Sequence, residues 1–215
     1  MEKEKFFKYG KREIDYLCSK DETLGAVIKK IGFIKRPVID DLFIALVHSI
    51  SGQQISTAAH KTVWDRIISR FSPLTAESIN FASEEELQSC GISMRKTAYI
   101  KEIAAAVMQG NLCLEEIAQL DDQQLKDMLC RLKGVGNWTA EMLMIFSLER
   151  PDVLSYDDFG IQKGLRMIYG HKELTKEQFE IYAQRYSPFA SVASLYIWAV
   201  AGGACPELKD PGTKK

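Results

Sequence analysis

No CxxC pair occurs anywhere in this sequence. Its five cysteines, Cys18, Cys90, Cys113, Cys130 and Cys205, are scattered, and an odd, dispersed set points to reduced thiols in an intracellular protein rather than to a disulfide frame. Histidine is scarce too, with His48, His60 and His171 standing far apart. These two shortages argue against a zinc site and against an iron–sulfur cluster. No apolar run reaches the ~20 residues that a membrane span requires. The N-terminal stretch MEKEKFFKYGKREIDYL is charged throughout and offers no apolar region for a signal peptide. The expectation is a protein without membrane attachment, cytoplasmic in a bacterium or nuclear in a eukaryote. An excess of one charge is also missing, with 28 Lys and Arg against 29 Asp and Glu. That balance rules against a histone-like polycation but leaves room for a local basic face. The cluster Lys29, Lys30, Lys35 and Arg36 reads more simply as solvated surface. Internal repeats, low-complexity tracts and strand-like alternation are absent.

What remains is helical. Of 215 residues, 46% are hydrophobic, enough for a well-packed core in one or two small domains. Residues 40–71 place Phe43, Leu46 and Val47, then Val63, Ile67 and Ile68, at helical spacing, with Ser-Gly-Gln-Gln dividing two helices. Ser83 and Glu86 form a capping box, and Gly91 is placed to end the helix they start. A further helix through TAYIKEIAAAVMQG closes at Gly110, and LCLEEIAQL and DDQQLKDMLCRL are short amphipathic segments. The tail PELKDPGTKK reads as loose. The fold class is all-α, with helices joined by short turns.

One stretch stands apart: LKGVGNWTAEM, residues 132–142. Glycine pairs often mean phosphate binding, but nucleotide-binding glycines follow a strand. Here Leu125, Met128, Leu129 and Leu132 precede the glycines on one helix face, and Ala140, Leu143 and Met144 resume a helix after them. The motif is helix, Gly-Val-Gly hairpin, helix. Glycine allows positive φ and close approach of a partner to the backbone. Amides at the start of the second helix favour an anion, and Val135 would plug between the helices. A plain αα-corner with no ligand fits the hairpin equally well.

LKGVGNWTAEM followed by PDVLSYDDFGIQKGL resembles the helix-hairpin-helix DNA glycosylases, and within them the 3-methyladenine DNA glycosylase II branch. The family's hairpin ends in W-T-A and is followed by a loop ending in an aspartate. From Gly136 to Asp158 the separation is 158 − 136 = 22 residues, which fits the family. HSISGQQIS, GISMRKTAYI and SPFASVASLYIW resemble further family elements, so the likeness runs over roughly residues 20–205. It implies two helical subdomains with the active-site cleft between them: 36–150 containing the hairpin, and 1–35 with 151–205, leaving 206–215 as the tail. A compact form without the extra N-terminal domain of some longer members is expected. Lys133 and Ser155 replace prolines of the family pattern, which should loosen two turns slightly. Trp138 stands where the bifunctional branch carries its lysine, so no lyase step is expected.

The resemblance implies a monofunctional DNA glycosylase that hydrolyses the N-glycosidic bond of alkylated purines in base excision repair. Asp158 is the candidate catalytic carboxylate, since breaking an N-glycosidic bond builds positive charge on the sugar. Ser155 and Asp158 also form an S-x-x-D pattern, so Asp158 can equally be a helix cap. Its neighbour Asp157 is expected to be a cap or a solvent-facing charge. Trp138 and Trp198, with Phe159 and Met142, would line a slot for a swung-out cationic purine such as 3-methyladenine or 7-methylguanine. The competing role for both tryptophans is core packing. Gln54 matches the family's wedge and Gln53 its neighbour, with a polar surface loop as the plain alternative. Backbone at Gly134, Val135, Gly136 and Thr139, with Lys133, would hold DNA phosphates. Carbonyls of Cys130, Leu132 and Val135 are the candidate seat of a Na⁺ or K⁺ ion, and no other cofactor is required. The expected partner is double-stranded DNA containing alkylated bases, bound by a monomer. A catalytically silent DNA-binding module, or a glycosylase with another damaged-base preference, are the alternatives.

Overall fold

The computed structural model describes residues 4–212. The chain divides into two compact units, residues 39–148 and residues 1–38 with 149–215. In chain order the elements are β1 (Lys5–Phe6), α1 (Lys11–Lys20), α2 (Glu22–Ile31) and β2 (Pro37–Val38). Then come α3 (Leu42–Gly52), α4 (Thr57–Arg70), α5 (Ala76–Phe81), α6 (Glu84–Ser89), α7 (Met94–Met108), α8 (Leu114–Ile117), α9 (Asp122–Cys130) and α10 (Asn137–Phe146). The chain closes with α11 (Phe159–Tyr169), α12 (Lys176–Tyr186) and α13 (Ala190–Ala201). The all-α expectation holds. The one addition is the antiparallel pair β1–β2, with Lys5 opposite Val38 and Phe6 opposite Pro37. Two residues are too few to show a period of two in sequence.

In the unit of residues 39–148, side-chain caps fix where most helices begin. Asp41 accepts from the Ile44 amide at 2.9 Å, and Asp121 accepts from Gln124 at 2.9 Å. The Ser83–Glu86 capping box forms as the sequence predicts. Leu46, Ile50, Ile67, Ile79, Leu87, Ile100, Leu125 and Leu129 are fully buried and make the core. Ile68 is exposed, because the buried stripe of α4 takes Val63 and Ile67 but not the next residue. α3 packs against α4, α7 and α10.

In the other unit, α13 is buried continuously from Ala190 to Ile197. A helix apolar on all sides belongs inside. Its two serines are satisfied: Ser191 Oγ donates to the Arg150 carbonyl at 2.6 Å and accepts from the Val153 amide at 3.0 Å, while Ser194 Oγ donates to the Ala190 carbonyl at 3.0 Å. α11 packs along α13. The tail departs from the sequence-based expectation. The Arg166 guanidinium grips Asp210 through two bonds of 3.0 and 2.7 Å, and Lys30 pairs with Glu207. A bidentate pair with both side chains largely buried ties residues 206–212 to α11. Residues 213–215 lie outside the described residues.

Candidate active site

Asp158 is the N-cap of α11. Its Oδ1 accepts from the Ile161 amide at 2.8 Å and from the Trp198 indole N–H at 2.9 Å. The carboxylate is therefore a cap, as S-x-x-D suggested, and is also held from α13, forty residues away. Two donors on one oxygen fix the carboxyl plane, and Asp158 is only 7% exposed. A polar group in such surroundings keeps its place because its bonds are made. The preceding loop is pinned as well. Besides the Ser191 bonds, Asp152 accepts from the Ser187 hydroxyl at 2.5 Å and from the Ala190 amide at 3.3 Å. Asp157 is exposed, so the cap is its neighbour.

Sequence reasoning did not find Gly160. A Cβ there would lie 2.8 Å from Trp198 Cδ1 and 3.1 Å from Asp158 Oδ1. Only a glycine lets the indole reach the carboxylate. The edge of Trp198 is thus committed to Asp158, a role the sequence did not suggest for it. Phe159, the first residue of α11, is 74% exposed and packs on no core.

The hairpin lies in the unit of residues 39–148. Gly134 takes φ +87°, and a Cβ there would sit 2.5 Å from the Tyr99 ring. Gly136 differs: its φ of −94° suits any residue and nothing lies within 4 Å of a Cβ. It is the N-cap of α10 and brings no side-chain cap to that helix. Val135 is buried, as a plug would be, and its amide donates to the Leu132 carbonyl at 3.0 Å. Thr139 is buried too, only 6% exposed, so its side chain is not a ready surface contact for an outside partner. Lys133 pairs with Glu102 at 3.0 Å, both exposed. Such a pair is weak and open to competition by phosphate. Trp138 is 46% exposed, and Met142 stands one turn further along α10.

The glutamine loop between α3 and α4 is in the same unit. Gln54 is exposed and holds φ +57°, a left-handed conformation uncommon for a residue with a side chain. Gln53 is turned inward, its amide donating to the Gly134 carbonyl at 2.7 Å. Gln54 is thus the exposed glutamine of the pair, while Gln53 braces the hairpin. The rings of His48 and His60, from α3 and α4, lie 4.4 Å apart, tilted by 54°. Burial, with His60 alongside, pushes His48 down to about 4, so its ring is neutral near pH 7. Among the described residues no group of three or more His, Cys, Asp or Glu could hold a metal ion.

Comparison with known proteins follows the same lines. A DNA-3-methyladenine glycosylase of Schizosaccharomyces pombe is 34% identical over 161 residues, 71% of this chain and 69% of its own length. A crystal structure of a DNA-3-methyladenine glycosidase from Bacillus halodurans is similar with a TM-score of 0.84 at 32% identity, covering 97% of each chain. The 3-methyladenine DNA glycosylase of S. pombe in complex with abasic DNA has a TM-score of 0.78 at 29% identity, covering 89% of this chain and 97% of that one. The family model for the HhH-GPD superfamily base excision DNA repair proteins matches residues 47–188. That span is more than half of the chain, takes in the glutamine loop, the hairpin and Asp158, and establishes that this protein belongs to the HhH-GPD superfamily.

Proposed function

We propose that this protein is a monofunctional DNA glycosylase that removes alkylated purines, 3-methyladenine and 7-methylguanine among them, from double-stranded DNA. Its relatives carry the name DNA-3-methyladenine glycosylase, and one of them was solved on abasic DNA, the product of such a reaction. The observation that carries the chemistry is Asp158, a buried carboxylate with its plane fixed by Ile161 and Trp198.

An alkylated purine is cationic, so it leaves without a strong acid. The electron pair of the C1′–N bond returns to the ring and neutralises the base. The deoxyribose becomes oxocarbenium-like, and an ionised carboxylate beside C1′ stabilises it. Water then adds at C1′ and gives up a proton to the Asp158 carboxylate, leaving an abasic site. Trp138, with Met142 beside it on α10, supplies stacking surface for the extruded cation. Gln54 enters the gap in the duplex, and its amide can meet the orphaned partner base. The amides that open α10 take a phosphate oxygen, a contact blind to sequence. The hairpin's donor set suits an alkali ion. The Leu132 carbonyl accepts one amide hydrogen and keeps a second lone pair. With the carbonyls of Cys130 and Val135 it would hold Na⁺ or K⁺, adding positive charge at the phosphate. Trp138 in place of a lysine leaves no amine for a Schiff base.

The test is to incubate the protein with methylated duplex DNA and identify the products by mass spectrometry. Free 3-methyladenine and an intact strand bearing abasic sites are expected. Strand cleavage trapped by borohydride, or no released base at all, contradicts the assignment.

A further inference from the structure

Lys96 stands at the third position of α7, in the GISMRKTAYI segment, where a helix favours an acid rather than a cation. Among the described residues its ammonium touches no carboxylate. It donates to the carbonyls of Ser51 at 2.9 Å and Gln53 at 2.5 Å, at the C-terminal end of α3. Burial, with Arg95 adding to it, holds its pKa below the usual lysine value. The Gln53 carbonyl belongs to the peptide unit that leads into Gln54, the residue at φ +57°. A strained residue persists when its surroundings over-determine it. Lys96 fixes the peptide plane that sets Gln54. One turn further along α7, Tyr99 lies under Gly134. Gln53 closes the circuit by donating to the Gly134 carbonyl.

From this geometry we infer that Lys96 and Gln53 are positioning residues that lock the glutamine loop to the glycine hairpin, so that a phosphate seated at the hairpin registers Gln54 for insertion into the duplex. The inference rests on the roles given above to Gln54 and the hairpin. It assigns to Lys96 a structural partner within the protein, in place of the phosphate contact that a lysine in a DNA-binding protein would ordinarily suggest.

The experiment is a double-mutant cycle with Lys96→Met and Gln54→Ala, using single-turnover base release and the fluorescence of 2-aminopurine placed beside the lesion. Lys96→Met is expected to slow release about tenfold and to lower the extrusion signal. On a duplex with the lesion already unpaired in a bulge, the same variant should come within about threefold of wild type. Lys96→Met with Gln54→Ala together should be no worse than Gln54→Ala alone. Lys96→Arg, which still donates to carbonyls, should recover part of the loss. Additive effects, or a salt dependence of binding reduced by about one ion, make Lys96 a phosphate ligand and overturn the inference. If Gln54→Ala behaves as wild type, the wedge role fails, and the coupling with it. If Gln54→Ala is impaired and Lys96→Met is not, the wedge stands and the coupling alone fails. Gln53→Leu cuts the link to Gly134 without touching Lys96, and serves should Lys96→Met not fold. It should lower the extrusion signal, and an unchanged signal contradicts the inference.

Discussion

Two helix starts in this molecule solve the same problem in opposite ways. The first amides of any α-helix lack intrahelical partners and carry the positive end of its dipole. At α11 the chain fills that position with its own carboxylate, Asp158, and then fixes the carboxylate again from Trp198. At α10 the cap is Gly136, which brings no side chain. The first arrangement keeps a carboxyl group inside the protein, oriented and mostly dry. The second presents main chain to whatever anion arrives. The difference teaches how one local motif yields chemistry in one place and binding in another.

The contrast can be broken most strongly at α11. Asp158→Asn keeps the cap, because asparagine accepts the Ile161 amide as well as aspartate does. Base release should fall by about 10²-fold or more, with the melting temperature shifted by less than about 4 °C and DNA binding retained. A folded Asp158→Asn protein with near-normal turnover removes Asp158 from the chemistry. At the hairpin, Gly134→Ala forces a Cβ toward Tyr99 at positive φ. It should cost about 1–3 kcal/mol in a denaturant titration and weaken DNA binding about tenfold. Gly136→Ala is the smallest and sharpest probe. Stability should stay within about 0.5 kcal/mol, since neither backbone nor space requires glycine there. Any loss of DNA affinity then measures how closely a phosphate approaches the cap. Unchanged affinity would mean that no partner comes near it.

Local signals were legible in the sequence, and distant ones were not. The Ser83–Glu86 box, the helix spacing and the cap role of Asp158 follow from rules that span a few residues, whereas its candidacy for catalysis is what the resemblance implies. The Trp198 bond spans 40 residues and the Gln53–Gly134 bond spans 81. Neither leaves a periodic mark. Gly160 looked like an ordinary helix residue because its constraint comes from an indole on another helix. Thr139 followed the hairpin in sequence but is buried. Residues 206–212 have loose composition, yet Asp210 meets Arg166 across 44 residues. One clue was present and unused: Arg95 and Lys96 put two cations in the first turn of α7. Where a local rule is broken, a tertiary partner is the usual reason.

The central claim is that base removal depends on the start of α11 and duplex binding on the start of α10. The direct measurement is single-turnover base release from one methylated duplex, at increasing enzyme concentration, for Asp158→Asn and Gly134→Ala side by side. The account predicts that Gly134→Ala approaches the wild-type rate once enzyme saturates the DNA, whereas Asp158→Asn binds normally and stays slow at every concentration. Asp158→Asn reaching the wild-type rate at saturation, or Gly134→Ala remaining as slow as Asp158→Asn there, would contradict it.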